Sequence, residues 1–115
     1  MLLKTLILGG FMPQIIFKGV EKEHVKKISS DLPSELSKIS DTPLDYFTIE
    51  RPEAVYYFEG EEVKMYPLIE VVQFDRGTKV ESEMAKSIAE NVKKYGYSEC
   101  EIYFTHIEKK DYYEL

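Results

Sequence analysis

Two stretches of this chain carry the same pattern, an apolar strand, an amphipathic helix and a second strand, and that repetition restricts the fold more than any other feature. Gln14 to Lys18 reads as a strand, and Gly19 opens a helix whose apolar positions Val20, Val25, Ile28, Leu32, Leu36 and Ile39 keep to one face. Pro33 interrupts that helix. Proline removes one backbone hydrogen bond and crowds the preceding turn, so a kink or two short helices is expected there. Tyr46 to Arg51 is the strand that closes the first unit. In the second unit Pro67 opens Leu68 to Asp75, a run of branched and aromatic residues around Glu70 that reads as a central strand. Thr78-Lys79-Val80-Glu81 fits a capping box, which starts a helix near Lys79. Val80, Met84, Ile88, Val92 and Tyr95 recur along it, and Gly96 supplies a left-handed stop. Cys100 to Thr105 is the last strand, and Glu108 to Leu115 is a polar, tyrosine-bearing tail.

Between the units, Ala54 to Glu59 reads as a further strand, set off from Tyr46 to Arg51 by Pro52 and followed by a turn at Gly60; the two strands should pair as a hairpin or short edge unit. The order is therefore β-α-β-β-β-α-β. Each crossover between parallel strands is right-handed. The expected class is thus α/β (α+β), with two β-α-β units forming one mixed sheet and two helices on one face. The opposite face then needs cover, which a trimer would supply.

At 115 residues the chain suits one domain over residues 12–115, preceded by an extension over residues 1–11; a core of this size gains from an oligomer interface. A net charge of -6 without any Lys/Arg block argues against nucleic acid and anionic membrane, both of which reward clustered cations, and leaves a small molecule or a protein as partner. The single cysteine, Cys100, excludes an internal disulfide and a multi-cysteine metal site, and it fits a reducing cytoplasm. Residues 1–11 are too short for a membrane span and lack a signal-peptide core; a weak anchor or an added edge strand stays open. A second reading takes Leu8-Gly9-Gly10-Phe11-Met12 as a translated ribosome-binding site, because two glycine codons can spell a purine-rich element before a start codon. Under that reading Met12 is the start, and removing it leaves Pro13 with a free secondary amine at the head of the first strand.

The remaining chemistry-bearing residues have ordinary readings. Arg51 sits between Glu50 and Glu53 and is expected in a solvated ion pair. His24 lies among lysines on the first helix and is expected to be exposed. His106 closes the last strand near Glu108, and no ligand spacing supports a metal. Cys100 reads as a small filler. The tyrosines read mostly as sheet and interface packing. The sequence has no Gly-rich phosphate loop, Ser/His/Asp pattern or zinc motif, so no cofactor is expected.

Met12-Pro13 at strand one, the Asp41-x-Pro43 turn into Tyr46-Phe47-Thr48-Ile49, Pro52 and the second β-α-β unit together resemble the tautomerase superfamily, in the layout of proteins of the macrophage migration inhibitory factor type. More narrowly, Phe74-Asp75-Arg76-Gly77 and Ile107-Glu108-Lys109-Lys110-Asp111-Tyr112-Tyr113 resemble a bacterial tautomerase-like family of unknown function. The resemblance implies an amino-terminal proline that moves protons in keto-enol transfer on 2-oxo acids, in pockets between subunits of a homotrimer. Pro13 would be the catalytic base, with Arg76, Tyr46 and Tyr103 as substrate-binding residues. An amine in an apolar pocket beside cations is held less basic, and the planar fork of arginine suits a carboxylate. Two departures stand out. Thr42 takes the place of a lysine in migration-inhibitory-factor-type relatives, and Glu101 and Tyr103 stand where they have Tyr and Asn. Two other readings accompany this one: a non-catalytic trimer that binds a ligand or protein, and a ferredoxin-like regulatory module, which needs an antiparallel strand order.

Overall fold

The computed structural model describes residues 12–115, and the readings made for residues 1–11 lie outside the described residues. In β1 (Gln14–Lys18) the buried Ile15 and Phe17 alternate with Gln14, Ile16 and Lys18, as a half-covered strand requires. Gly19 then turns the chain at φ 76°, pressed so closely under the Tyr66 carbonyl that a Cβ has no room. Because Gly19 is left-handed and Glu21 still extended, α1 (Lys22–Ser40) begins later than the apolar pattern suggests.

Pro33 neither splits α1 nor ends it: a single helix runs through it. The proline costs about 3 kcal/mol in a helix interior. Burying Leu32 and Leu36, each 0% exposed, on either side of it returns roughly 1.5–3 kcal/mol per side chain, so one continuous helix wins. The helix stops at Asp41, in a left-handed conformation, and Thr42 N–H bonds back to the Ser37 carbonyl at 3.2 Å.

A short 3-10 turn, Leu44–Tyr46, precedes β2 (Thr48–Glu50), so Tyr46 stands on a turn and the strand is shorter than the sequence suggests. The expected pairing of Tyr46–Arg51 with Ala54–Glu59 is not found. β2 instead runs parallel to β1, and the hairpin is built from β3 (Tyr56–Phe58) and a strand the sequence did not reveal, β4 (Glu61–Val63). Glu59 and Gly60, at φ 50° and 82°, make its two-residue turn; consecutive positive φ values suit the right-handed twist of a hairpin.

β5 (Leu68–Gln73) is central, as its composition indicates, and α2 (Thr78–Lys93) follows it. Thr78 makes no side-chain cap: Gly77 occupies the cap position, and Glu81 is drawn instead into contacts described below. Gly96, at φ 93°, closes the turn after α2 as expected, with its N–H on the Lys93 carbonyl at 3.1 Å. β6 (Glu101–His106) completes the second unit.

The main sheet has the order β2-β1-β5-β6. Its centre, β1 against β5, is antiparallel, while β2 and β6 lie parallel to their partners. Those parallel flanks exclude the antiparallel order of a ferredoxin-like module. Both helices cover one face, side by side: Ser87 Oγ and Asn91 Nδ2 of α2 donate to Glu35 Oε1 of α1 at 2.9 and 3.1 Å. Beneath them Ile15, Phe17, Ile69 and Val71 meet Ile28, Leu32, Met84, Ile88 and Val92 in one core. The register places Ile16, Glu70 and Tyr103 in one row on the other face, where Thr105 Oγ1 donates to Glu70 Oε2 at 2.7 Å. No helix among the described residues is long and apolar enough to cross a membrane.

Gly19 and Gly77 separate close approach from backbone strain. A Cβ at Gly77 meets nothing within 4 Å, although its φ is 88°. Gly77→Ala should therefore cost about 1–3 kcal/mol, the usual range for a glycine-only conformation, and Gly19→Ala clearly more. Urea denaturation of the two variants, compared with the parent, checks the order.

Candidate functional site

The antiparallel register carries the start of β1 to the end of β5. Gln14 faces Val72, so Pro13 comes beside Gln73, and Gln73 in turn faces His106. Pro13, Gln73 and His106 thus form a row across three strands at one end of the sheet. Pro13 is buried, and its carbonyl accepts a hydrogen bond from Thr48 N–H at 3.1 Å, which ties β2 to the head of β1.

Beside that row lies an open cavity of about 350 Å³, lined among others by Met12, Thr42, Tyr46, Phe74, Arg76 and Tyr112. Phe74 and Tyr112 meet edge to face, with ring centroids 5.2 Å apart, and this contact brings the C-terminal tail to the cavity. Glu114 also stands on its wall. Of the four residues nominated from the sequence, Tyr46 and Arg76 share this cavity, and Pro13 is bonded to a third wall residue, Met12. Tyr103 is not among them. It sits on the sheet face turned away from the helices, 41% exposed, in register with Glu70. Glu101, two residues earlier, shares that face, and its carboxylate, hydrogen-bonded to the Tyr66 hydroxyl, raises the Tyr66 pKa.

Thr42 contributes little polarity to the cavity because its polar atoms serve the end of α1. Its carbonyl accepts from Ser37 Oγ at 2.6 Å, and its hydroxyl lies 3.2 Å from the Ser40 carbonyl. In this chain the position thus serves helix termination.

Arg76 is held from behind by a network that the sequence did not reveal. Gln73, 0% exposed, donates through Nε2 to Glu81 Oε2 at 2.8 Å. A carboxylate accepts only, so this bond fixes the amide orientation and leaves Gln73 Oε1 to accept from Arg76 Nε at 3.1 Å. Glu81 Oε2 also accepts the Arg76 backbone N–H at 3.3 Å. Burial lowers the Arg76 pKa and the Glu81 charge opposes that shift; the guanidinium stays protonated in any case. His106 Nε2 completes the network, 2.8 Å from Glu81 Oε2. Glu81 read as a capping residue in sequence, and its partners Gln73 and His106 stand 8 and 25 positions away. Only the strand register brings them together.

Elsewhere the ordinary readings fare unevenly. Arg51 pairs with Glu53 at 3.1 Å as expected, and also donates to the Val20 carbonyl at 2.8 Å. His24 is not simply exposed: its ring stacks on Tyr95 with centroids 5.0 Å apart, and its Nδ1 lies 2.7 Å from the Tyr97 hydroxyl.

This architecture is that of the tautomerase and migration-inhibitory-factor fold. A macrophage migration inhibitory factor-like protein from Entamoeba histolytica superposes with a TM-score of 0.64 at 16% identity, over 89% of this chain and 92% of that one. A fused 4-OT protein, described as an asymmetric trimer, gives a TM-score of 0.71 at 12% identity over 89% and 90%. Within that fold, the chain belongs to the family described as Domain of unknown function (DUF1904), which matches residues 12–115. A crystal structure of a member from Sebaldella termitidis is 35% identical, with a TM-score of 0.84 over 90% of this chain and 95% of that one. No curated protein matches this chain.

Two measurements test the local picture. Gln73→Leu strips the amide from both Glu81 and Arg76, and should lower stability by about 1–3 kcal/mol in a denaturant titration. Burial raises the Cys100 pKa, with Lys93 opposing, so less thiolate is present near pH 8 than in a free cysteine. Its alkylation by iodoacetamide should be slower than that of a small free thiol and should speed up in urea.

Proposed function

We propose that this protein is a tautomerase-type isomerase of a small 2-oxo acid, active as a homotrimer when Pro13 is the amino-terminal residue. The observation that carries this reading is the cavity that Tyr46 and Arg76 share beside the head of β1. Beside it the Pro13 nitrogen, as a free secondary amine once Met12 on the cavity wall is removed, takes a proton from C3 of the 2-oxo acid and returns it to oxygen, which interconverts keto and enol forms. Arg76 binds the substrate carboxylate through a guanidinium whose direction Gln73 fixes, and Tyr46 packs on the cavity wall. Tyr103 reaches such a cavity from a neighbouring subunit, since in its own chain it lies on the sheet face away from the helices. The start of the family match at residue 12 supports Pro13 as the second residue of the domain. The free thiol of Cys100 supports a reducing, cytoplasmic setting.

A second reading, a non-catalytic trimer that binds a ligand or protein on the same fold, is favoured by Glu114. Glu114 is among the residues that line the cavity, and a negative charge there opposes an anionic substrate.

A chain beginning at Pro13 should tautomerise an arylpyruvate, followed by the loss of enol absorbance. Pro13→Ala should lower kcat/KM by about 10²-fold or more, the usual contribution of a positioned acid or base. Arg76→Ala should act mainly by raising KM. Activity that survives Pro13→Ala, or a monomer by light scattering, would contradict the proposal.

A further inference from the structure

Next to the Arg76 network, three side chains from three different elements point their ligand-type atoms at one another. His106 ends β6, Asp75 lies in the turn after β5, and Glu81 is in the first turn of α2. Their ligand atoms all fall within 4.8 Å of each other, the one such group among the described residues. His106 Nε2 is 2.8 and 3.0 Å from the two Glu81 oxygens and 3.8 Å from Asp75 Oδ1. We propose that Asp75, Glu81 and His106 form a binding site for a divalent transition-metal cation, with zinc as its chemical type.

Distances, support and donor chemistry agree on this. A cation bound at about 2.0–2.2 Å holds neighbouring ligand atoms roughly 3–4 Å apart. The 3.8 Å from His106 Nε2 to Asp75 Oδ1 and the 3.0 Å to Glu81 Oε1 lie in that interval, while the 2.8 Å to Glu81 Oε2 is a hydrogen-bond distance that a bound ion would lengthen. Both carboxylates are already held from outside. Asp75 Oδ1 accepts the Gly77 N–H at 2.8 Å, and Glu81 Oε2 accepts from Gln73 Nε2 at 2.8 Å and from Arg76 N–H at 3.3 Å. Such outer hydrogen bonds orient ligands in metal sites. The Arg76 Nε is turned onto the Oε1 side of Gln73, away from the Nε2 that meets Glu81.

Access is built in as well. The Glu81 side chain is 11% exposed, whereas those of His106 and Asp75 are 39% and 67% exposed, so an ion enters from solvent and finds a buried carboxylate at the floor of the site. One imidazole nitrogen with two carboxylates suits zinc; magnesium and calcium prefer oxygen ligands alone, and copper(I) prefers sulfur. Three protein ligands leave a coordination position for water. None of its residues lines the cavity that holds Tyr46 and Arg76, although Glu81 also belongs to the network behind Arg76.

The test uses the full chain, free of any affinity tag, stripped with a chelator and titrated with Zn2+ by calorimetry. Binding of one ion per chain is expected, and His106→Gln and Asp75→Asn should each weaken it by at least ~10-fold. Both substitutions fall on partly exposed side chains, and circular dichroism confirms that the variants fold. Absence of a one-to-one event in the parent chain would overturn the proposal, as would affinity unchanged in both variants. Co2+ gives a second readout: its visible absorption should appear with the parent chain and be lost with His106→Gln.

Discussion

The antiparallel pairing of β1 with β5 is the contact on which the rest of the structure depends. It joins two β-α-β units that would each leave a strand edge exposed, and it fixes which residues face the helices. Side chains alternate along a strand, so a slip of one residue would turn Ile15, Phe17, Ile69 and Val71 out of the core together. The same register sets the chemistry at the sheet end, because it brings Pro13 beside Gln73 and, through β6, in line with His106.

The candidate site follows from that alignment and from a single buried amide. Gln73 has no exposed surface and two polar groups to satisfy. Glu81 takes one and Arg76 the other, so a side chain in the core dictates where a cationic side chain at the cavity points. An unpaired amide buried there would be costly, and this gives the network a role in the fold as well as in the cavity. Phe74 and Tyr112 bring the tail to the same place, and α1 ends there with Thr42 occupied by backbone contacts. The result is a cavity shared by Tyr46 and Arg76 at the end of the sheet where Pro13 heads β1.

The periodic parts of the chain were legible before the structure was known. β1, β5, β6 and both helices follow from residues such as Ile28, Leu32, Ile69 and Ile88, whose spacing carries burial directly. The hairpin was not legible. β3 and β4 are three residues each and mostly exposed, so no apolar alternation marks β4, and Ala54 to Glu59 reads as the partner of Tyr46 to Arg51 when its Tyr56–Phe58 segment pairs with β4. Pro33 misled because a local rule was outweighed by burial on both sides of it. Tyr46 and Arg76, singled out through the family resemblance, line one cavity, whereas Tyr103 does not. The joining of Gln73, Glu81 and His106 is not legible in the sequence, because it lies in a strand register that no local pattern records, and Glu81 matches a capping motif it does not serve.

The central claim is that the head of β1 is an active end of the molecule, which requires that Pro13 carry an amine and not an amide nitrogen. The intact mass of the protein purified from its own organism measures this directly. The account predicts a mass equal to residues 13–115, with Pro13 first. A mass that retains Met12 or any residue before it would place a peptide bond on the proposed base and contradict the claim.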